Sequence, residues 1–272
     1  MINRIVLALS PAVPKGQVDS FVQKNKDLIA KAERKEELFP YGKERMLLIT
    51  DREDFYEEAV KRGIAFLVYL NSLNHSAAFP KAVYAITTLE GVELPYLEQV
   101  YMRFHHIPWH ILDTKRCRVR EMVLEDLDAL YKVYEHPSIT RYMEGLYEDK
   151  QKEAEYTEAY IKNVYGFYGY GLWIVEEKAT GQVIGRAGIS HREEYEEPEL
   201  GYVIGKTYQN KGYATEVCKE ILRYGREEIG FQHFNAFVHK ENLSSVRICE
   251  KCGFVHKGTV QIGDEMLERY YI

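Results

Sequence analysis

The 272-residue sequence has no apolar run long enough to cross a membrane, and it is poor in cysteine, proline and tryptophan. A membrane-spanning helix needs about 20 consecutive apolar residues, so we expect no membrane partner. The apolar stretch near the N-terminus, residues 5–9, is too short for a secretion signal, and Pro11 and Pro14 follow it closely. We therefore expect a cytoplasmic protein and interpret this stretch as a first buried strand.

The four cysteines show none of the spacings that are typical of a disulfide framework: Cys117, Cys218, Cys249 and Cys252. Without an export signal, we expect free thiols in a reducing compartment. Cys249 and Cys252 form a CxxC, but neither a second CxxC nor paired histidines accompany it, so we expect no zinc. The histidines at 105, 106 and 110 lack a carboxylate that would complete a site. We therefore predict no metal.

The chain carries a net charge of −6 and has no basic cluster, which argues against a nucleic-acid partner. Its composition, 46% hydrophobic and 29% charged, is that of a globular protein. Its length suits two domains. The acidity weakly favours a cationic substrate, although a solvated acidic surface is the commoner explanation. The oligomeric state is left open.

The first segment alternates apolar strands with helices. We predict strands at 4–9, 46–50, 65–70 and 83–87, and helices at 17–38, 51–63 and 94–106. Buried strands separated by helices favour a small parallel sheet that is covered on both faces. This segment is expected to form one α/β domain, residues 1–113.

The stretch MLLITD, followed by a helix and AFLVYL, resembles the haloacid-dehalogenase-like family, whose fold is a Rossmann-like α/β domain. That family needs an aspartate pair just after its first strand, and the corresponding stretch here, ALSPAVP, has no acid. The resemblance therefore implies a domain without phosphatase chemistry. Phosphatase activity remains an alternative that the missing aspartates oppose.

The second segment, residues 114–272, follows a junction at 107–115 that has no flexible linker. We predict strands at 116–121, 172–176, 182–189, 199–204, 235–238, 254–260 and 266–271. We predict helices at 124–136, 148–165, 215–229 and 244–252. The order is one strand, two helices, three strands, a helix, a strand, a helix and two strands.

The loop QNKGYA, residues 209–214, lies between a predicted strand and a predicted helix. Such a loop exposes backbone N–H groups at a helix N-terminus, which favours binding of a diphosphate. Gly212 lets the backbone approach the anion closely. The glycine spacing fits neither a Rossmann loop nor a Walker loop.

QNKGYA fits the Q/R-x-x-G-x-G/A pattern of the GNAT superfamily of N-acetyltransferases. The stretch ENLSSVRICEKCGF resembles that superfamily's second signature, and RCRVREMVLEDLDAL resembles its first strand and helix. The resemblance covers residues 115–272 and is nearest to the ribosomal-protein-alanine N-acetyltransferases. It implies a central mixed, mostly antiparallel sheet.

The resemblance also implies a site for acetyl-CoA as co-substrate, with no metal. The diphosphate would lie on the amides of 210–215, the pantetheine arm would pair with 202–204, and an N–H near Val203 would bind the thioester oxygen. An amine would attack the carbonyl directly. The implied cofactor residues are Tyr202, Val203, Ile204, Gln209, Asn210, Lys211, Gly212, Tyr213, Ala214, Thr215, Asn242 and Ser245.

The candidate catalytic residues are Glu199, Ser245 and Cys249. Many relatives place a tyrosine general acid where this chain has Cys249, so either Cys249 or Ser245 takes that role. Packing is the competing explanation for Cys249. Glu199 opens the strand beside the thioester and is the candidate base. It can equally be a solvated member of the acidic run 193–199.

A glycine–aromatic stretch, residues 165–173, gives three candidate substrate contacts: Tyr168, Tyr170 and Trp173. Together with the acidic run, it suggests an acceptor that is cationic and partly apolar. Ordinary aromatic packing around a turn is the alternative. The predicted function is acetyl transfer to a primary amine of a small molecule or a protein N-terminus. The alternative is a regulatory protein that binds acyl-CoA without turnover.

Overall fold

The computed structural model describes residues 2–38 and 40–272, and the chain divides into two compact units. The first unit runs to Trp109, and the second is His110–Ile272. This division falls four residues before the boundary that the sequence suggested. No helix in the described part of the chain is both long and apolar enough to span a bilayer.

The first unit contains a five-stranded parallel sheet in the order β2-β1-β3-β4-β5. Its elements are β1 (Arg4–Ala8), α1 (Lys15–Lys24), β2 (Ile29–Lys31), β3 (Met46–Thr50), α2 (Glu53–Arg62), β4 (Ala65–Tyr69), β5 (Ala85–Ile86) and α3 (Leu94–Phe104). Every residue of β3 and β4 is buried. The parallel sheet is thereby confirmed.

Two apolar layers cover the faces of this sheet because successive strand side chains point to opposite sides. On one face, Ile5 and Leu47 pack with Phe21 of α1 and Leu97 of α3. On the other face, the side chains of the alternate strand residues pack against α2. Phe55 and Ala59 of this helix are fully buried. Gly63 ends α2 in the left-handed conformation, with φ of 65°.

The predicted helix over 17–38 is wrong. Helix α1 ends at Lys24, and the chain then enters β2, which pairs in parallel with β1 through Ile5 and Ile29. Ile29 continues the apolar spacing of the helix, so local periodicity does not separate the two elements. Backbone pairing with β1 decides the conformation instead.

The second unit is built on an eight-stranded sheet in the order β12-β13-β11-β10-β9-β8-β7-β6. Its first elements are β6 (His110–Asp113), β7 (Cys117–Arg120), α4 (Leu127–Tyr134), α5 (Lys150–Tyr160), a π-helical turn (Ile161–Tyr165) and α6 (Gly166–Tyr168). The remaining ones are β8 (Leu172–Glu177), β9 (Val183–Arg192), β10 (Tyr195–Ile204), α7 (Tyr213–Tyr224), β11 (Asn235–Val238), α8 (Leu243–Lys251), β12 (Val255–Ile262) and β13 (Glu265–Tyr271).

The predicted mixed, mostly antiparallel sheet is confirmed, since β10 and β11 pair in parallel and the neighbouring pairs are antiparallel. Strand β6 was missed because its residues were read as a junction. Residues 193–197 lie outside the predicted strands, but β10 begins at Tyr195 and includes the last three of them. Helix α4 lies against one face of the sheet, and α7 lies against the other.

Candidate active site

The sheet of the second unit opens between β10 and β11. Glu199 and Asn235 are the one pair at which the backbones of these two strands pair in the described structure. Beyond it, Leu200–Ile204 pair with β9, and Ala236–Val238 pair with β13. The facing edges of β10 and β11 therefore diverge, and an extended ligand could pair with a strand edge of this kind.

The backbone register decides which groups of β10 face the opening. The N–H of Gly205 donates to the carbonyl of Ile184 over 2.8 Å, toward β9. Because alternate residues of an antiparallel strand direct their backbone groups to opposite neighbours, Val203 also faces β9, and Tyr202 and Ile204 face the opening. The oxyanion donor expected near Val203 is thus corrected by one residue, to Tyr202 or Ile204.

The loop that follows β10 contains two residues in the left-handed region. Asn210 has φ of 60° and Gly212 has φ of 84°. Gln209 folds back, and its Nε2 donates to the carbonyl of Ile204 over 3.0 Å. Gln209 therefore contacts the end of β10.

Helix α7 begins at Tyr213 with Gly212 as its N-cap, and no side chain caps this end. The backbone N–H groups of the first turn, over residues 213–215, carry the positive end of the helix dipole. The Tyr213 side chain is buried, and its hydroxyl donates to Glu177. Hence Tyr213 can offer only its backbone to a ligand, whereas the loop as a whole can hold an anion.

Arg116 lies beside this loop and is not among the site residues predicted from the sequence. Its Nη1 donates to the carbonyl of Lys211 over 2.9 Å, and its guanidinium lies 4.0 Å from the ring centre of Tyr213. These contacts join residues that are about a hundred positions apart. No local spacing in the sequence signals them.

Val203 of β10 packs on Val133 of α4. Glu199 is four residues before Val203 on the same strand, so its side chain points to the same face of the sheet, the one that α4 covers. Its side chain is 15% exposed and accepts a hydrogen bond from Nε of Arg192. Burial raises the pKa of Glu199, and the Arg192 guanidinium opposes that rise. A carboxylate in this state beside the opening suits a general base.

The start of α8 follows β11 at the same opening. The Asn242 side chain caps this helix by accepting a hydrogen bond from the N–H of Ser245 over 3.2 Å. Its carbonyl oxygen is therefore used within the helix cap and positions Ser245. The hydroxyl of Tyr202 lies 3.5 Å from the backbone oxygen of Ser245. Ser245 thus lies close to the β10 edge.

Cys249 lies one turn further along α8 and is 2% exposed. Burial raises the pKa of its thiol to about 12. Ordinary thiols have a pKa near 8.5, so proton transfer from Cys249 to a departing thiolate is unfavourable. Its surroundings match the packing explanation better than a role as general acid.

Of the three candidate substrate residues, the structure places two away from Glu199. Trp173 is fully buried and packs edge-to-face on Tyr224 of α7, so its assignment to the substrate pocket is wrong. Tyr170 contacts Phe231, which follows α7, and therefore lies on the α7 side of the sheet. Alternation along β8 explains the position of Trp173, whose side chain points away from the Glu199 face, whereas Tyr170 precedes this strand.

Tyr168 is 42% exposed and lies beside His191 near the end of β9, with ring centres 5.9 Å apart. Three carboxylates of the acidic run are exposed on the hairpin between β9 and β10: Glu193, Glu194 and Glu196. Glu197 instead accepts through its backbone oxygen from Asn235 over 3.0 Å. This hairpin, which leads along β10 to Glu199, therefore carries exposed negative charge.

Comparison with known proteins gives a consistent result for the second unit. A family model described as "Acetyltransferase (GNAT) domain" matches residues 116–255. The uncharacterized protein YkkB of Bacillus subtilis is 33% identical over 153 residues, which cover 55% of this chain and 88% of that protein. The uncharacterized N-acetyltransferase YoaA of the same organism is 27% identical over 155 residues, which cover 56% and 86%.

Among solved structures, the fold is similar to that of a ribosomal alpha-N-protein acetyltransferase in complex with coenzyme A. The TM-score is 0.51 at 10% sequence identity, and the match covers 60% of this chain and 97% of that one. At this identity, the similarity shows a common fold.

Proposed function

Since the chain belongs to the acetyltransferase (GNAT) family and is an N-acetyltransferase, we propose that it transfers the acetyl group of acetyl-CoA directly to a primary amine. One observation carries this proposal. The sheet opens between β10 and β11, and the chain leads from this opening directly into the uncapped start of α7. A thioester arm and a diphosphate joined in one molecule match these two neighbouring features.

In this proposal, the diphosphate lies on the backbone N–H groups of residues 210–215, where the helix dipole favours an anion. The pantetheine arm extends along the open edge of β10 and pairs with Tyr202 and Ile204. One of their N–H groups donates to the thioester oxygen as negative charge develops there. That another protein of this fold was solved with coenzyme A supports the assignment.

Glu199 is the proposed base. It receives a proton from the acceptor ammonium, directly or through water, so that a neutral amine attacks the acetyl carbon. Burial raises the pKa of Glu199 toward the range in which a carboxylate accepts such a proton readily. Holding the amine and the thioester side by side supplies much of the remaining acceleration.

The carbon–sulfur bond then breaks, the thiolate of coenzyme A departs, and the proton that the new amide nitrogen loses yields the free thiol. We propose Ser245 as the residue that donates a hydrogen bond to this sulfur, because Asn242 fixes it at the start of α8. Cys249 is disfavoured since its thiol is buried and its pKa is raised to about 12.

The proposed acceptor is a cationic primary amine, of a small molecule or a protein N-terminus. The exposed carboxylates of Glu193, Glu194 and Glu196 favour the approach of a cation. Tyr168, whose ring is partly exposed, is the remaining candidate for an apolar contact with the acceptor. We place all of this chemistry in the second unit and propose a non-catalytic role for residues 1–113.

The proposal is tested by following thiol release from acetyl-CoA in the presence of an amine panel: a polyamine, free amino acids, an aminoglycoside and peptides with different N-terminal residues. All four cysteines of the protein are buried, which keeps the background of a thiol reagent low. We expect release that depends on one acceptor class. Binding of acetyl-CoA without release from any amine would instead support the non-catalytic alternative.

A further inference from the structure

Arg116 reaches the proposed diphosphate loop from the turn between β6 and β7. Its Nη1 donates to the backbone oxygen of Lys211 over 2.9 Å. Its Nη2 lies 3.5 Å from the position that a Cβ of Gly212 would occupy. Its guanidinium also stacks on the ring of Tyr213. One side chain therefore contacts Lys211 and Tyr213 and lies beside Gly212 between them.

Glu216, in the first turn of α7, fixes the orientation of this arginine. The Nε of Arg116 donates to Oε2 of Glu216 over 2.7 Å, and the backbone N–H of Arg116 donates to Oε1 over 2.8 Å. The hydroxyl of Thr114 donates to the same Oε1 over 2.6 Å. The arginine is held at both its backbone and its side chain, so its position relative to the loop is well defined.

The loop needs such support because of its backbone conformation. Asn210 and Gly212 both have positive φ, and Lys211 lies between them. A non-glycine residue in the left-handed region is uncommon and persists where its surroundings hold it. The hydrogen bond from Arg116 to the backbone oxygen of Lys211 therefore holds the loop between its two left-handed residues.

We propose, on the basis of the proposed function, that Arg116 is a positioning residue for the co-substrate. It holds loop 210–213 in the conformation that directs backbone N–H groups at the diphosphate. The Glu216 carboxylate pairs with its charge, so its main contribution is geometric. A planar guanidinium binds in several directions at once, which the point charge of lysine does not reproduce.

The test compares Arg116→Gln and Arg116→Lys with the wild-type full-length protein. Arg223→Gln is the matched control, because Arg223 lies near the far end of α7, pairs with Glu220 and Glu227 as Arg116 pairs with Glu216, and its replacement removes the same charge. Calorimetric titration gives the dissociation constant of acetyl-CoA. Steady-state assays with acetyl-CoA and with acetyl-pantetheine, which lacks the diphosphate, give the KM of each.

We expect both Arg116 variants to bind acetyl-CoA at least ~10-fold more weakly, because a charge-assisted hydrogen bond and the loop geometry are lost together. The KM of acetyl-pantetheine should stay unchanged, and Arg223→Gln should behave as wild type.

Wild-type affinity in Arg116→Gln would overturn the inference. So would wild-type affinity in Arg116→Lys alone, since charge rather than geometry would then suffice. Equal losses with both substrates would reveal general damage to the fold and would also overturn it. A wild-type protein that does not bind acetyl-CoA would overturn the proposed function itself, and this inference with it.

Discussion

Replacing Glu199 by glutamine removes the proposed base while keeping the size of the side chain. The glutamine carbonyl oxygen can still accept the hydrogen bond from Arg192, so the local packing is preserved. Burial raises the pKa of Glu199, which makes its ionised form less favourable in the folded state than in the unfolded chain. Above the ordinary glutamate pKa, the neutral glutamine should therefore not lower the free energy of unfolding.

The expected effect on the rate follows from the role of a positioned base. General acid–base catalysis contributes about 10²–10⁴-fold, so Glu199→Gln should lower kcat/KM for the amine by a factor in that range. This corresponds to ~3–5 kcal/mol of transition-state stabilisation. The KM of acetyl-CoA should change little, because Glu199 lies beyond the end of the open β10 edge.

The pH profile of activity tests the direction in which burial shifts the pKa of Glu199. Activity requires ionised Glu199, so the acidic limb of kcat/KM should lie above the ordinary glutamate pKa, in the direction that burial dictates. The Arg192 guanidinium lowers this pKa, and its removal in Arg192→Gln should move the limb to higher pH. Arg223→Gln, a distant loss of the same charge, should leave the limb in place.

The assay is thiol release at saturating acetyl-CoA between pH 5 and 9, with thermal melting of each variant as a check on folding. Glu199→Gln with wild-type kcat/KM would refute the assignment of the base. A limb that moves to lower pH in Arg192→Gln would refute the electrostatic reasoning.

Two further predictions separate packing from chemistry. Trp173→Ala should lower the free energy of unfolding of the second unit by about 3–5 kcal/mol, because it leaves a large cavity beside Tyr224. Tyr168→Ala should lower it by less than ~1 kcal/mol. Urea titration measures both losses, and equal losses would contradict the assignment of Trp173 to the core. Ser245→Ala should lower kcat about 10²-fold or more, whereas Cys249→Ala should retain the wild-type kcat. Steady-state kinetics measures both, and a larger loss of kcat in Cys249→Ala than in Ser245→Ala would make Cys249 the proton donor.

The local sequence pattern was sufficient to predict an element where the flanking residues mark both of its ends. The strand Asn235–Val238 was predicted with both bounds correct, because a helix and a charged loop flank its short apolar run. The glycine loop before α7 was also predicted from its own residues. Gly212 has φ of 84°, which is the conformation that favours glycine.

Local pattern failed where distant partners decide the conformation. Residues 29–31 continue a helical apolar spacing, yet they pair with β1 as a strand. Residues 110–113 lie in the predicted junction between the two segments, yet they extend the large sheet beside β7. Neither pairing has a signal within the segment itself, because the partner strand supplies the hydrogen bonds.

The candidate site shows the same division. The loop and the signature of α8 are contiguous in sequence, so their residues could be named in advance. The side on which Trp173 points depends on strand parity, which a shift of one residue reverses. Arg116 could not be found from sequence because its partners, Lys211 and Glu216, lie about a hundred residues away.

The most direct test of the central claim is calorimetric titration of acetyl-CoA into the full-length protein, into Gly212→Asp and into Gly181→Asp. Both glycines have positive φ, and Gly181 lies in the turn before β9, with open space around its Cβ position. We predict saturable binding by the wild type and by Gly181→Asp, and none by Gly212→Asp, whose carboxylate repels the diphosphate at the start of α7. Equal binding by all three proteins would contradict the proposed cofactor loop, and no binding by the wild type would contradict acetyl-CoA as the co-substrate.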